Sequence, residues 1–229
     1  MLLAEELLLL VTDGISGRLC CPAPQVDVAL GGANLLELAL LNKVGLTGQW
    51  DPGRPGRILV RDCSPAGDEV LDAALRIVGA HQGKKPPAVI RPLGKRLRRT
   101  LYERLALAGI VGAGQRRILG AFPTRAWPVH GVSQQAQSRR LVTQLLVGQA
   151  VPQPRGAVLV VLVHALRCEH KIVDLADCGM SRQQLSARAD QIAEGSWAPD
   201  PIRPAIGEMI AAIAAATSAA AAAGSVTWG

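Results

Sequence analysis

The residues of this chain best suited to chemistry are cations. Thirteen Lys and Arg side chains fall between Lys84 and Arg140 against one acid, Glu103, so this stretch carries a net charge of +12 within a chain whose total is +7. The flanks are correspondingly acidic, with six basic and ten acidic residues over 1–83 and six and seven over 141–229. A merely solvated surface mixes both signs, so this segregation points to an anionic partner, either lipid headgroups or nucleic acid. Lys84, Lys85, Arg91, Lys95, Arg96, Arg98 and Arg99 form the densest group, and Arg116, Arg117, Arg125, Arg139 and Arg140 join it if the fold brings them near. Beside an anionic membrane each such side chain contributes about 1 kcal/mol. Arg116 and Arg117 also precede an apolar group, Ile118, Leu119 and Phe122. If exposed, that group dips into a headgroup layer while the arginines hold phosphates; if buried, it is core.

Other chemistries have less to stand on. His164, Cys168, His170 and Cys178 are metal-ligating types, but no second closely spaced pair completes a zinc site, and no metal is expected. Asp62 with Asp68 or Asp72 reads as a helix cap and a solvated face. The chain has no Gly-rich phosphate loop, nucleophile elbow or HExxH, so neither a cofactor nor an enzymatic activity is expected. Its five cysteines, odd in number and without a CxxC pair, do not form a disulfide framework. Nucleic acid is the rival partner, because +12 also suits a phosphate backbone. Single-strand binders supply stacking platforms, however, and the cationic stretch has only Tyr102, Phe122 and Trp127. Duplex binding by charge alone stays open, so at this point lipid and nucleic acid both stand as partners.

The elements that must position these residues are helical. The composition is 49% hydrophobic with one Tyr, one Phe and four Trp, an aliphatic, Ala-rich core that suits helices better than a sandwich. The spacing predicts a first helix over Leu2–Val11 with Glu5 and Glu6 outside its Leu face, and a helix over Val28–Val44 buried on most sides. Arg57–Asp62 alternates like a short strand, Asp68 is placed to cap the next helix, and His81–Pro92 reads as a basic, Pro-rich connector. Leu93, Leu97, Leu101 and Leu105 step by four, predicting one amphipathic helix over Leu93–Gly109 with Lys95, Arg99 and Tyr102 on its polar face. A hairpin is expected within Val111–Pro128, then helices over Ser133–Gly148, Gly156–Asp174 and Ser181–Gly195, the last capped by Ser181, and an Ala-rich helix from Ala205. The apolar run at 157–165 is too short to cross a bilayer, so a soluble or peripheral protein is expected. One helical domain over 1–218 and a low-complexity Ala-rich tail over 219–229 complete the organisation.

Several stretches together resemble the Golgi phosphoprotein 3 family: LLAEELLLLVTD at the start, LLELALLNKVGL at Leu35–Leu46, SPAGDEVLDAAL at Ser64–Leu75, LRRTLYERLALAGIV at Leu97–Val111 and ILGAFPTRAWP at Ile118–Pro128. They occur in the family's order and cover most of the chain. Arg outnumbers Lys 20 to 5, a bias that points to a bacterial member. The resemblance implies a mainly α, single helical-bundle domain with surrounding amphipathic helices and a protruding β-hairpin. It also implies a non-enzymatic, cytoplasmic, peripherally membrane-associated protein. Eukaryotic members bind phosphatidylinositol 4-phosphate in a basic pocket and act as adaptors that retain glycosyltransferases in the Golgi. Two arginines of that pocket correspond here to Lys95 and Arg98, and a Trp and an Arg correspond to Pro22 and Gly31, where neither chemistry is kept. Lys95, Arg98, Arg99, Lys84, Lys85 and Arg91 are thus the expected headgroup ligands, and Arg116, Arg117, Ile118, Leu119 and Phe122 the expected membrane-contact or self-association hairpin of a homo-oligomer.

Overall fold

In the computed structural model, which describes residues 1–112, 114–118, 122–194, 196–198 and 202–225, the chain is mainly α. The elements are α1 (Leu3–Leu10), α2 (Ala23–Leu40), β1 (Val44–Leu46), β2 (Ile58–Val60), α3 (Glu69–Gly79), α4 (Pro87–Gly94), α5 (Leu97–Leu107), β3 (Gly114–Ile118), β4 (Phe122–Ala126), α6 (Val132–Leu146), α7 (Pro154–Ala165), α8 (Glu169–Ile172), α9 (Leu175–Cys178), α10 (Arg182–Ala193) and α11 (Arg203–Ser225). β1 and β2 pair antiparallel, Val44 opposite Val60, and β3 and β4 form the hairpin, with Arg116 opposite Thr124 and Ile118 opposite Phe122.

The core is one cluster built on α1, α2 and α7, whose Leu and Val side chains are almost all buried. α2 begins at Ala23, five residues before the expected start, because Pro22 and Pro24 open it; a fixed φ near −65° suits a first helical turn. Close packing of α2 on α4 depends on two glycines. A Cβ on Gly31 would run into the Ile90 carbonyl and one on Gly94 into the Asp27 carbonyl. α4 itself lies within the expected connector. Pro86 and Pro87 start it, and its apolar residues Val89, Ile90 and Leu93 are buried.

The helix expected over Leu93–Gly109 is two helices. Arg96 takes a left-handed conformation, φ 63°, which ends α4 and starts α5. Leu97, Leu101 and Leu105 keep their shared buried face on α5, while Leu93 is buried from α4. Arg167, φ 51°, likewise divides the helix expected over Gly156–Asp174. The caps at Asp68, which accepts from the Val70 N–H at 2.8 Å, and at Ser181, in a capping box with Gln184, are as predicted.

α11 continues to Ser225 with Ala220 buried, so the expected boundary at 218/219 falls inside a helix. Arg203–Ala223 is 21 residues long, and with a mean hydropathy of 1.6 in an 18-residue window it is long and apolar enough to cross a membrane by length and composition. Its Ile206, Met209 and Ile213 side chains are buried, and Ile213 fills the space beside Gly32 of α2.

Candidate functional site

A cavity of about 560 Å³ opens where α5 begins, lined by Arg18, Cys21, Asp27, Arg96, Arg98 and Arg99 over a floor of Tyr102 and Trp127. Three segments make its walls, and Trp127, just after β4, completes the floor. The first is the turn after α1, in which the Asp13 carboxylate accepts from the Ser16 N–H at 2.7 Å. Gly17 in this turn, φ 66°, lies so close to the Trp127 backbone that a Cβ has no room. The second is the first turn of α2, which supplies Ala23 and Asp27. The third is the start of α5, where the left-handed Arg96 turns the chain so that Arg96, Arg98, Arg99 and Tyr102 all reach the cavity.

The floor is rigid. The Tyr102 and Trp127 rings stack with centroids 5.0 Å apart and planes 3° from parallel, an arrangement adding about 0.5–1.5 kcal/mol beyond burial. The Tyr102 hydroxyl bonds with the Thr12 hydroxyl at 2.7 Å, and Thr12 donates to the Leu8 carbonyl at 2.6 Å. Burial pushes the Tyr102 phenol upward, with the Thr12 bond opposing. Gln135 donates to the Leu9 and Thr12 carbonyls at 2.7 and 2.8 Å, fixing the turn from the α6 side. Tyr102 is 5% exposed, not on the polar helix face as expected, because Trp127 stacks on its ring and the segment after α1 covers its hydroxyl through Thr12.

The arginines differ in how they are engaged. Arg98 is ion-paired with Asp27, its Nε 3.0 Å from the carboxylate, which leaves its terminal donors for a ligand. Burial pushes the Asp27 carboxyl upward against the pull of Arg98. Arg99 pairs with Glu103 at 2.7 Å on an exposed face. Arg18 and Arg96 have no carboxylate partner among the described residues.

Of the expected ligands, Arg98 and Arg99 line this cavity. Lys95 is exposed at the C-cap of α4 and Arg91 is exposed on that helix, both outside the lining. Lys84 and Lys85 precede α4 while the cavity follows it, and eight helical residues separate them by about 12 Å. Arg139 and Arg140 line a different, larger cleft of about 1050 Å³ between α6 and α8–α9. There Arg139 is occupied by the Lys171 and Ile172 carbonyls. Pro22 sits at its rim between two lining residues. Gly31 faces the α4 backbone instead, and no side chain fits there. Arg116, Arg117, Ile118 and Phe122 lie on the hairpin strands, which lead through Ala126 into Trp127, and Leu119 lies outside the described residues. Sequence reasoning did not select Arg18, Asp27, Tyr102 or Trp127 for this site. The isolated Arg18 beside a Gly-containing turn was the one available signal.

The other metal-ligating types separate. His164 bonds to Glu169 at 2.5 Å and to Asp190 at 3.0 Å, and Cys178 points its thiol at the Leu175 carbonyl. Cys168 instead meets Cys20 and Cys21, and the three sulfurs lie within 4.8 Å of one another.

These features define a mainly α protein with an arginine-lined, aromatic-floored cavity beside a β-hairpin. The chain belongs to the Golgi phosphoprotein 3 (GPP34) family, whose model matches residues 3–209. No curated protein matches the sequence significantly.

Proposed function

We propose that the chain is a non-enzymatic peripheral membrane protein that takes an anionic, phosphorylated lipid headgroup into the cavity at the start of α5. The observation that carries this reading is the convergence of Arg18, Arg96, Arg98 and Arg99 on one concave site. Guanidinium groups suit phosphate because their planar donor fork engages two oxygens at once. Family membership supports the lipid class, and phosphatidylinositol 4-phosphate is the first headgroup to try. Ile15 adds to this: it is 94% exposed at the tip of the turn that carries Arg18, so docking the arginines on headgroups brings an apolar side chain to the interface.

The test is flotation with liposomes that are neutral, anionic without phosphoinositide, or doped with phosphatidylinositol 4-phosphate, each at low and physiological salt. Selective binding to the doped vesicles that persists in salt and is lost in Arg96→Ala/Arg98→Ala supports a headgroup pocket. Equal, salt-sensitive binding to all anionic vesicles reduces the site to a basic surface. No flotation, with a gel shift of duplex DNA at physiological salt, overturns the lipid reading in favour of nucleic acid.

A further inference from the structure

We propose that Cys20, Cys21 and Cys168 form a binding site for one thiophilic metal ion of the zinc class. Distant parts of the chain build it: Cys20 and Cys21 close the turn after α1, and Cys168 caps α8 where Arg167 breaks the chain after α7. The Cys20 and Cys21 sulfurs are 3.7 Å apart, and all three lie within 4.8 Å of one another. With zinc–sulfur bonds near 2.3 Å, thiolates sharing one ion sit about 3.8–4.0 Å apart, so capture requires less than about 1 Å of side-chain adjustment.

The surroundings suit an ion. Cys21 and Cys168 are buried and Cys20 is half-buried, which gives a dry, soft donor set with one side open for entry and for a water in the fourth position. Binding to Zn²⁺ sends the thiol protons to solvent and leaves a complex of net charge −1. The Lys171 ammonium, donated to the Cys20 carbonyl at 2.6 Å, offsets that charge. Because Cys21 lines the arginine cavity, the ion would clamp one wall of that cavity to the α7–α8 junction.

The experiment titrates the reduced, chelator-stripped full chain with Co²⁺, followed by thiolate-to-cobalt charge-transfer absorption, and then displaces the cobalt with Zn²⁺. The expected result is one equivalent bound by the native chain and by Cys63→Ser/Cys178→Ser. Cys20→Ser, a change at a half-buried position, and Cys20→Ser/Cys168→Ser are expected to lose more than the about 100-fold that an outer-shell change costs, with unchanged far-ultraviolet dichroism. Absence of charge-transfer bands in the native chain, retention of full affinity in Cys20→Ser, or loss in Cys63→Ser/Cys178→Ser would each overturn the site. Formation of a Cys20–Cys168 disulfide by the metal-free chain, without any cobalt binding under reducing conditions, would also overturn it.

Discussion

Two groups of arginines in this protein look alike in sequence and differ in what they are free to do. Arg104 and Arg155 are consumed by the core. Arg104 holds Asp68 through both terminal nitrogens at 2.8 Å and Glu5 at 3.1 Å, and Arg155 holds Glu37 at 2.9 Å and Glu6 at 2.7 Å. Glu5 and Glu37 are 5% and 6% exposed, so these guanidinium groups neutralise acids that helix packing has taken out of water. Glu5 and Glu6 therefore do not lie outside the first helix as its Leu face suggests. Around the cavity, by contrast, only Asp27 faces the arginines from the lining. Net charge says how many cations a region has; only their partners say how many remain for a ligand.

The comparison breaks first at Arg155. Arg155→Ala leaves the Glu37 carboxylate with only the Leu3 N–H as partner, and removing one member of such a pair costs about 3–5 kcal/mol. Urea unfolding should register that loss, and a cost under about 1 kcal/mol would mean Glu37 is accommodated as the neutral acid. At the cavity the order of effects inverts: Arg96→Ala/Arg98→Ala should leave the urea midpoint nearly unchanged and weaken binding to anionic vesicles roughly 30-fold, at about 1 kcal/mol per cation. Lys84→Ala/Lys85→Ala, beyond the far end of α4, should weaken it less. Equal losses in the two double variants would favour a diffuse basic surface.

Asp27→Asn sharpens the contrast by moving in the opposite direction. It removes the one acid of the lining and releases Arg98, so vesicle binding should rise by roughly fivefold, again about 1 kcal/mol. No gain would place the ligand away from Arg98. A smaller effect is expected at His164, whose basicity is raised by its bond to Glu169 and by nearby Asp190, with burial opposing. A folded pKa above the unfolded value means that its contribution to stability is complete below about pH 6.5 and fades as pH rises through the folded value. Unfolding curves of His164→Gln and the native chain should therefore differ most in mild acid and converge in alkali; a constant gap would contradict this. The smallest change belongs to Glu103→Gln. Its pair with Arg99 is solvent-exposed, so no measurable loss of stability is expected and vesicle binding should rise slightly.

Much of the fold follows from local pattern. The Leu spacing of α1 and α5, the Asp68 and Ser181 caps and the strand period at β2 all specify local elements, and the hairpin lies where the apolar and Gly-rich segments put it. The boundaries that matter for the site were not available this way. Leu93 to Leu105 keeps a perfect four-residue step across the break at Arg96, because buried Leu residues on α4 and α5 satisfy the same periodicity whether or not the helix continues. α4 was hidden because its prolines sit where a helix can begin, at Pro86 and Pro87, while reading like a connector.

By itself the sequence determined the mainly α architecture, the family and the concentration of positive charge, since each depends on composition or on neighbours within a few turns. Tertiary structure alone decided which cations stay available, that Tyr102 is a buried floor, that Gly31 is a helix contact, and that three cysteines share one point. Those outcomes depend on segments up to about 150 residues apart meeting in space, as Cys20 and Lys171 do at 2.6 Å, and such meetings are set by core packing.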